Sequence, residues 1–569
     1  MNRLFNELNR KVPIWGLFIC LFFTVSSLSV SAQSAAAPTA AAIASAHPLA
    51  TQAGHEILSQ GGNAFDAAVA VSAVLAVVEP YSSGIGGGGF WLLHRARDRF
   101  EIMVDGRERA PLAATENMYL DGKGKPIKGL SINGALAAGI PGEPAALAHI
   151  AEKYGRLSLA KSLAPAIRLA SDGFVVDDYY LRMIKWRLSS LQKSPAAARI
   201  FLDRGEMPRP GYRVMQPQLA RTLEAMAQSG RAGFYAGTVA EKLIKDVTAA
   251  GGIWSLDDLK QYRIVEREPI RGSYRGMQIT SAAPPSSGGI VLMTMLNILS
   301  RYDLSTANRV TQSHLLVEAM RRAYRDRAKY MGDPDFVQMP VERLIHPFYA
   351  DGLAQDISTR RATPYLPQSP QVEGEEGRDT THFSIIDREG NRVSATLSIN
   401  YPFGSGYVSP STGVLLNDEM DDFSVHPGVP NVYGLVGGSA NAIAPGKRML
   451  SSMTPTFVET KDGVAILGTP GGSRIITMLL LGILELADGK SPMEWVSRPR
   501  LHHQYLPDRI QYEPDALDQD EAAQLRQMGH QLQQLKQSYG NMQAIYWNRN
   551  TGELKAASDP RGIGSAVVR

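Results

Sequence analysis

The stretch Asp379-Thr380-Thr381-His382-Phe383-Ser384 marks a change in the character of the chain. A polar, acidic segment, residues 371–379, runs directly into a strand pattern that opens with two threonines. A threonine inside a chain is a weak nucleophile, but an N-terminal threonine carries an α-amino group that can act as its base. The sequence therefore predicts a precursor that cleaves its own Asp379–Thr380 bond.

The residues after Thr380 predict a β-hairpin. Two strand patterns, 382–386 and 392–400, flank a polar turn. If that turn is symmetric, Thr380 faces Ser398 at about 5 Å between Cα atoms, whereas a bulge in the turn shifts this register. One face of the second strand is polar: Ser394, Thr396, Ser398 and Asn400. A polar face on a strand is usually solvated, and the alternative is that this face belongs to a functional site.

Two glycine-rich segments are candidates for binding a ligand through their backbone N–H groups. Residues 84–89 match the spacing of a dinucleotide fingerprint, but that fingerprint needs a strand before it and a helix after it. Here a helix pattern, 64–78, precedes and a strand pattern, 90–94, follows, so the segment predicts close backbone packing or a turn with positive φ. Gly471-Gly472 precedes an apolar helix, 475–486, and its free N–H groups suit an oxyanion, although a plain helix-entry turn explains the same pattern.

The N-terminal residues and the composition indicate an exported globular protein. A basic start, a mostly apolar stretch over 14–30 and the small-residue motif Val30-Ser31-Ala32 predict a secretory signal peptide over 1–32, with an uncleaved anchor as the alternative. The single cysteine, Cys20, lies in that segment, which excludes disulfides and thiol catalysis from the remainder. The net charge of +4 includes three basic residues and one acidic residue of the segment, and no basic run argues for nucleic-acid binding.

Other stretches give coarser predictions. Residues 36–46 are alanine-rich and are interpreted as a loose start of the mature chain. The clearest helix spans 313–331. A long loop rich in Gly, Pro and Asn, 428–446, carries Tyr433, and loops of this length are usually functional or disordered. The adjacent pair His502-His503 lacks the i, i+4 spacing of a helical metal pair, so no metal site is predicted.

Together these segments resemble the γ-glutamyltransferase family of secreted N-terminal-nucleophile hydrolases. The resemblance covers nearly the whole chain after residue 32. It implies an α+β, four-layer αββα fold built by two interleaved subunits, a large one of residues 33–379 and a small one of residues 380–569. The motifs that carry it follow the family's order: 47–50, 61–64, 84–89, 105–111, 284–289, 380–382, 416–424, 451–455 and 470–474.

The resemblance also implies a mechanism without a cofactor. Thr380 Oγ1 first attacks the carbonyl of Asp379, and water cleaves the resulting ester. The freed α-amino group has a reference pKa of about 7.7–8.0, which suits a general base near neutral pH. Thr380 then attacks a γ-glutamyl amide such as glutathione, and the acyl group passes to water or to an amino acid or short peptide.

Matching motifs imply roles for the residues around the nucleophile. The N–H groups of Gly471 and Gly472 hold the oxyanion, and the Ser398 hydroxyl bonds Thr380. Ser398 stands where the family commonly has threonine, which keeps the hydroxyl and loses a methyl group. Tyr433 lies in a segment, 427–452, that matches the lid of the bacterial members.

The free amino-acid head of the substrate is implied to bind through opposite charges. The residues concerned carry no signal by themselves, because single arginines, serine pairs and acidic clusters are normally solvated. One set is implied for the α-carboxylate: Arg107, Ser451 and Ser452. The other is implied for the α-ammonium: Asn400, Glu419 and Asp422. Glu419 is glutamine in some members of the family, and both side chains accept from an ammonium.

Two other functions compete with this interpretation. A cephalosporin (glutaryl) acylase resembles the family and shares its nucleophile, but should lack a complete ammonium site, so Asp422 favours γ-glutamyl substrates. An uncleaved, non-enzymatic binding protein on the same scaffold is disfavoured by the presence of Thr380, Gly471 and Gly472. The sequence leaves open whether hydrolysis or transfer dominates, and whether the protein is periplasmic or extracellular.

Overall fold

Two antiparallel sheets that pack against each other form the centre of the protein, described here from a computed structural model covering residues 36–364, 379–426 and 428–569. The strands are β1 (Ala42–Ser45), β2 (Gly88–Arg95), β3 (Phe100–Gly106), β4 (Phe174–Val175), β5 (Arg213–Val214), β6 (Val265–Arg267), β7 (Ile270–Tyr274), β8 (Met277–Ser281), β9 (Thr381–Ile386), β10 (Arg392–Ser398), β11 (Thr456–Glu459), β12 (Gly463–Gly468), β13 (Leu501–His502), β14 (Ile510–Tyr512), β15 (Leu532–Gln534), β16 (Gln543–Asn548), β17 (Leu554–Ser558) and β18 (Ser565–Val568). The helices are α1 (Pro48–Ser59), α2 (Ala64–Val78), α3 (Glu143–Tyr154), α4 (Leu159–Asp172), α5 (Asp178–Lys193), α6 (Pro195–Phe201), α7 (Pro217–Ser229), α8 (Ala232–Tyr235), α9 (Gly237–Ala249), α10 (Leu256–Gln261), α11 (Gly288–Leu299), α12 (Arg309–Tyr330), α13 (Val341–Leu344), α14 (Pro347–Ala354), α15 (Ile475–Ala487), α16 (Pro492–Ser497) and α17 (Gln519–Gln527).

The sheets and helices form four layers. The seven-stranded sheet has the order β18-β1-β9-β10-β2-β3-β6, and the six-stranded sheet has the order β17-β16-β12-β11-β8-β7. Apolar side chains of β9 and β10 pack with α2, α3 and α4 in one core. The second core joins the six-stranded sheet to α11, α12 and α15. Helices thus cover the outer face of each sheet, which confirms the predicted α+β, αββα architecture.

The helix before the glycine run shows how local sequence fixes one of these layers. α2 begins at Asn63, whose side chain accepts from the N–H groups of Phe65 and Asp66 while Asp66 accepts from the Asn63 N–H. All of its residues are buried, because its sequence is apolar on nearly every side. It ends at Glu79, directly before Pro80, in agreement with the predicted span of 64–78.

The glycine run after α2 serves close packing of backbones. A Cβ on Gly86 would lie 1.9 Å from the Leu415 carbonyl oxygen, and one on Gly87 would lie 2.1 Å from the Ser398 carbonyl oxygen. Residues 84–89 all have ordinary φ values, so the predicted turn with positive φ is wrong and the predicted close contact is confirmed. The run therefore holds β2 against β10, next to the end of the strand that carries Ser398.

One prediction about an exposed segment is wrong, and one open alternative is decided. Residues 42–45, expected in a loose start, form β1 between β9 and β18 in the larger sheet. The polar face of β10 is not solvated, because it packs against the second sheet. There the Ser394 hydroxyl donates to the Leu467 carbonyl oxygen at 3.2 Å. Buried hydroxyls of this kind are stable only when they find such partners.

Some predictions concern the part of the chain that the structure leaves undescribed. The signal peptide expected over 1–32 lies there, and so do residues 371–378 of the acidic segment before Thr380. None of the helices that are described combines the length and the apolar character needed to cross a membrane.

Candidate active site

The hairpin after the predicted cleavage point has the predicted register. Ile386 pairs with Arg392, and Thr381 pairs with Leu397. Thr380 lies one residue before β9 and its Oγ1 is 3.1 Å from the Ser398 Oγ, within hydrogen-bond distance. The two hydroxyls that the hairpin pattern placed opposite each other are therefore in direct contact.

The surroundings of Ser398 orient this contact. The Asn400 N–H donates to the Ser398 Oγ at 2.8 Å, so the hydroxyl hydrogen of Ser398 remains available for Thr380. Thr380 has φ of 81°, in the left-handed region that β-branched residues strongly disfavour. Strain of this kind costs about 1–3 kcal/mol and is found at functional sites. Here it lies next to the bond that is predicted to break.

The residue before the predicted cut lies in the same site. Asp379 is only 1% exposed. The Tyr433 hydroxyl lies 2.9 Å from the Asp379 Oδ2 and 3.0 Å from the Asn400 carbonyl oxygen. Tyr433 itself is buried, so the loop that carries it closes over the Asp379–Thr380 bond as the predicted lid would.

The loop is held in this closed position by hydrogen bonds to an acidic segment and to the segment that follows β13. The Val432 N–H donates to Asp421 at 2.9 Å, and the Asn431 side-chain amide donates to Asp422 at 3.1 Å. From the opposite side, the Gln504 amide donates to the Tyr433 carbonyl oxygen at 3.1 Å. The position of Tyr433 thus depends on partners on both sides of the cavity.

The glycine pair before α15 offers two backbone donors. Gly471 and Gly472 have φ of 133° and 55°, which favours glycine at both positions, and they lead into a single turn of 3-10 helix before α15. Among the described residues, none accepts a hydrogen bond from either N–H. A Cβ on Gly472 would lie 2.9 Å from the Tyr433 ring, so the lid packs directly on this turn.

The charged end of the cavity is built around Arg107, directly after β3. Its guanidinium is almost fully buried and donates to Glu419 and, at 2.5 Å, to Asp422 Oδ2. A third donor, Nε, reaches the Met449 carbonyl oxygen at 3.2 Å. The side chains implied for the two charges of a substrate therefore contact each other in this structure.

Burial shifts the pKa of two acidic side chains beside Arg107. It raises the pKa of Glu419 above its usual range despite the opposing effect of Arg107. Burial likewise raises the pKa of Glu108, and neither of its carboxyl oxygens has a hydrogen-bond partner among the described residues. Arg107 thus lies within ion-pair distance of three carboxyl groups in one buried cluster: Glu108, Glu419 and Asp422.

These groups line a single cavity. Ten of the predicted site residues lie in its wall: Arg107, Thr380, Ser398, Asn400, Glu419, Asp422, Tyr433, Ser451, Ser452 and Gly472. Gly471, also predicted, is the neighbour of Gly472 but is outside the lining. The sequence reasoning missed four further wall residues: Leu435, Met453, Ser473 and Ile475. Their types carry no chemical signal, although two of them adjoin predicted residues.

One group elsewhere has the residue types of a metal site. His314, Glu318 and His530 bring ligand atoms within 4.8 Å of one another. His314 Nδ1 already contacts His530 Nε2 at 2.7 Å, and both oxygens of Glu318 accept from Thr363 or Arg322. Since a guanidinium beside Glu318 opposes a second cation, we interpret the group as a satisfied hydrogen-bond cluster.

Comparison with known proteins agrees with this geometry over most of the chain. The profile of the gamma-glutamyltranspeptidase family matches residues 50–568. A glutathione hydrolase proenzyme from Pseudomonas sp. (strain A14) is 44% identical over 533 residues, which is 93% of this chain and 92% of that protein. The crystal structure of cephalosporin acylase from Bacillus halodurans is 28% identical, with a TM-score of 0.81 over 96% of this chain and 99% of that chain.

A solved structure from the matched family is also similar. The crystal structure of Helicobacter pylori gamma-glutamyltranspeptidase is 40% identical to this chain, with a TM-score of 0.55. The similarity covers 58% of this chain and 96% of that chain. Because the family profile extends over nearly the whole sequence and a relative at 44% identity spans most of both proteins, this chain belongs to the gamma-glutamyltranspeptidase family.

Proposed function

We propose that this chain is a self-cleaving precursor of a γ-glutamyltransferase that hydrolyses glutathione or transfers its γ-glutamyl group. One observation carries the proposal: a single cavity joins the Thr380–Ser398 hydroxyl pair to the free N–H of Gly472 and to the Arg107–Asp422 ion pair. The nucleophile, an oxyanion donor and a charged pair that can bind an α-carboxylate and an α-ammonium thus lie within reach of one small substrate.

Maturation uses the same nucleophile on the chain itself. The Thr380 Oγ1 attacks the carbonyl carbon of Asp379, the C–N bond breaks, and the hydroxyl proton passes to the departing Thr380 nitrogen. Water then hydrolyses the ester, which gives a free Asp379 carboxylate and a free Thr380 amine. The left-handed backbone of Thr380 and the enclosure of Asp379 beneath Tyr433 support this step, because both hold the bond in a constrained geometry.

Turnover repeats the attack on a γ-glutamyl amide. The Thr380 amine accepts the Oγ1 proton, and Oγ1 attacks the γ-carbonyl carbon. The N–H groups of Gly471 and Gly472 stabilise the oxyanion, which is worth about 2.7–4 kcal/mol for one such donor in other enzymes. The leaving amine takes the proton, and water or an amino-acid or peptide amine then attacks the γ-glutamyl ester of Thr380.

Charge pairing explains the preference for a γ-glutamyl group. The α-carboxylate of the substrate pairs with Arg107, and its α-ammonium pairs with Asp422, so each charge of the substrate meets an opposite charge in the site. The Asn400 amide donates to the Asp418 carbonyl oxygen at 3.0 Å, which leaves its own oxygen as an acceptor for the ammonium. A glutaryl group has no ammonium for Asp422, which disfavours the cephalosporin acylase alternative.

Export and assembly complete the proposal. The basic, then apolar, N-terminal sequence supports a cleaved signal peptide and a periplasmic or secreted enzyme. After cleavage the two chains, residues 33–379 and 380–569, stay together as a heterodimer. The alternation of their strands in the larger sheet supports this assembly.

One purified preparation tests the function. We expect two bands on a denaturing gel, with the smaller polypeptide starting at Thr380, and turnover of L-γ-glutamyl-p-nitroanilide that changes when glycylglycine is added as acceptor. Thr380→Ala should remain one inactive chain, whereas Thr380→Ser should mature because it keeps the hydroxyl. A small chain that begins at another residue, or an absence of turnover in the cleaved protein, would refute the proposal.

A further inference from the structure

A buried arginine lies directly behind the carboxylate end of the cavity. Arg327, on α12, is 5% exposed, and no carboxylate of the described residues lies within ion-pair distance of its guanidinium. Its Nε donates to the Ser287 Oγ at 3.0 Å, and its Nη2 donates to the Ser452 Oγ at 3.3 Å. Buried charges are costly unless they are paired, so a cation bound only to hydroxyls needs an explanation.

The contact fixes the direction of the Ser452 hydroxyl. A guanidinium can only donate hydrogen bonds, so Ser452 Oγ must be the acceptor in its bond with Arg327. The hydroxyl hydrogen of Ser452 is then left to donate to another group. Ser452 lines the cavity, and no described residue accepts that hydrogen.

The neighbouring serine is prepared in the same way. The Ser451 Oγ accepts from the Met453 N–H at 3.0 Å, which leaves its hydrogen free as well. Ser287 accepts from Arg327 and passes its own hydrogen to the Ser451 carbonyl oxygen at 2.8 Å, so it ties the arginine to the serine pair. Both hydroxyls therefore present donors to the cavity, which suits a ligand group that only accepts.

Electrostatics favour an anion at the same place. Arg327 is attracted by Asp422 and repelled by Arg107, so it lies within the electrostatic reach of both. The carboxyl groups of this cluster lie within ion-pair distance of Arg107, whereas no described carboxylate lies within that distance of Arg327. A carboxylate on the ligand would balance the second positive charge.

We propose that Arg327 is a positioning residue for substrate selection: it orients Ser452 as a donor and supports, from behind, the binding of an α-carboxylate. Arg327 does not line the cavity and so acts through Ser452. The inference rests on the proposed function. Hydrogen bonds to charged groups are stronger than neutral ones, which sets the expected size of the effect of Arg327 on carboxylate binding.

The test compares a normal substrate with an analogue that lacks the negative charge of the α-carboxylate. Wild type, Arg327→Met, Arg327→Lys and Ser452→Ala are assayed with L-γ-glutamyl-p-nitroanilide. The analogue in which the α-carboxylate is a carboxamide is measured as a competitive inhibitor of the same reaction, which gives its binding whether or not it is turned over. Arg325→Met is the matched control, because it removes an exposed arginine from the same helix.

Arg327→Met should raise KM for the carboxylate substrate about 10- to 100-fold and change kcat little. The inhibition constant of the carboxamide should change less than about threefold, since that group gains little from the cation. Arg327→Lys should recover part of the loss. In the Ser452→Ala background, Arg327→Met should add less than threefold, because both changes remove one linked interaction.

An equal rise of both constants in Arg327→Met would show a structural role and overturn the inference, as would no rise in either. Two-band maturation of each variant on a denaturing gel confirms that folding is preserved. If Arg327→Met does not mature, Arg327→Lys, alone and combined with Ser452→Ala, decides by the same ratio of constants. A cleaved wild type that fails to turn over the γ-glutamyl substrate would instead refute the proposed function.

Discussion

Each of the two hydroxyls at the centre of the site has a defined task. Ser398 receives the Asn400 N–H and faces Thr380 at 3.1 Å, so it can hold the nucleophile in one rotamer before and after cleavage. Serine carries no methyl group on Cβ, and the register of the hairpin places its oxygen beside Thr380. The interaction therefore depends on the hydroxyl alone.

Replacement of this hydroxyl gives the first prediction. Ser398→Ala should slow both self-cleavage and turnover by about 2- to 13-fold, because a net hydrogen bond is worth about 0.5–1.5 kcal/mol. Ser398→Thr should retain both rates, since it keeps the oxygen. Gel densitometry of the maturing precursor and kcat of the cleaved enzyme measure the two effects. Wild-type rates in Ser398→Ala would show that the contact is incidental.

Removal of the acidic partner of Arg107 gives the second prediction. Asp422→Ala should mature normally yet lose at least about 100-fold in kcat/KM for γ-glutamyl-p-nitroanilide, because the substrate ammonium loses its partner and Arg107 loses one of its buried carboxylate partners. Asp422→Asn, which keeps the shape, should lose nearly as much. Unchanged turnover in either variant would mean that the ammonium binds elsewhere.

Single residues were predictable where their motif was local and chemically distinctive. Thr380 and Gly472 lie in short motifs whose residue types already suggest chemistry, and both line the cavity, whereas Asp422 was implied only by the family resemblance. Arg327 and Ser287 were missed, because an arginine in a helix and a serine in a turn are usually solvated. Their importance arises from burial against Ser452, which no neighbouring sequence signals.

Between elements, the end of α2 is tied to the start of β9 by a buried carboxyl group. Glu79 accepts from the Thr381 hydroxyl at 2.7 Å and from the Tyr81 hydroxyl at 3.3 Å. Burial raises the pKa of Glu79 to about 7, with a smaller contribution from Asp177. This bond fixes the residue that follows the nucleophile.

The raised pKa gives a prediction about stability. The folded state holds the Glu79 proton up to pH about 7, whereas the unfolded chain releases it near 4.5, so this group stabilises the fold below pH 4.5 and that contribution is lost as pH rises to 7. The loss is on the order of 3 kcal/mol. Glu79→Gln cannot ionise, so its stability should exceed that of wild type more at pH 8 than at pH 5.

Thermal unfolding of the uncleaved Thr380→Ala precursor measures this difference without dissociation of two chains. The comparison of Glu79→Gln with its parent at pH 5 and pH 8 cancels the titration of all other groups. Glu389→Gln serves as a control, because that carboxylate lies at the surface. An identical difference in Tm at the two pH values would contradict the raised pKa of Glu79.

Elements were predictable where their partners are close in sequence. The hairpin of β9 and β10 was predicted with its register, because the turn and the alternation of residues fix the pairing locally. β1 was missed, since its partners β9 and β18 lie hundreds of residues away and its alanines carry little strand signal. The sequence left open whether the polar face of β10 is solvated, because the second sheet that supplies its partners is distant in the chain.

Over the whole molecule, the predicted cut lies directly before an inner strand of the larger sheet. β9 begins directly after Thr380 and lies between β1, from before the cut, and β10, from after it. β18 then pairs with the other edge of β1, so strands of the later segment flank it on both sides. Cleavage of one peptide bond removes none of these ladders or the apolar core that they cover.

The last prediction follows from this arrangement: the two chains should remain associated after maturation without a covalent link. The mature protein should elute from a native sizing column at the position of the uncleaved Thr380→Ala precursor, and both bands should be present in that peak. Separation should require denaturant, because β1 cannot leave without breaking its pairing to β9 and β18 and exposing buried residues such as Ile43. Elution of the smaller chain alone in native buffer would contradict the interleaved sheet, whereas joint elution followed by separation in guanidinium chloride is the expected result.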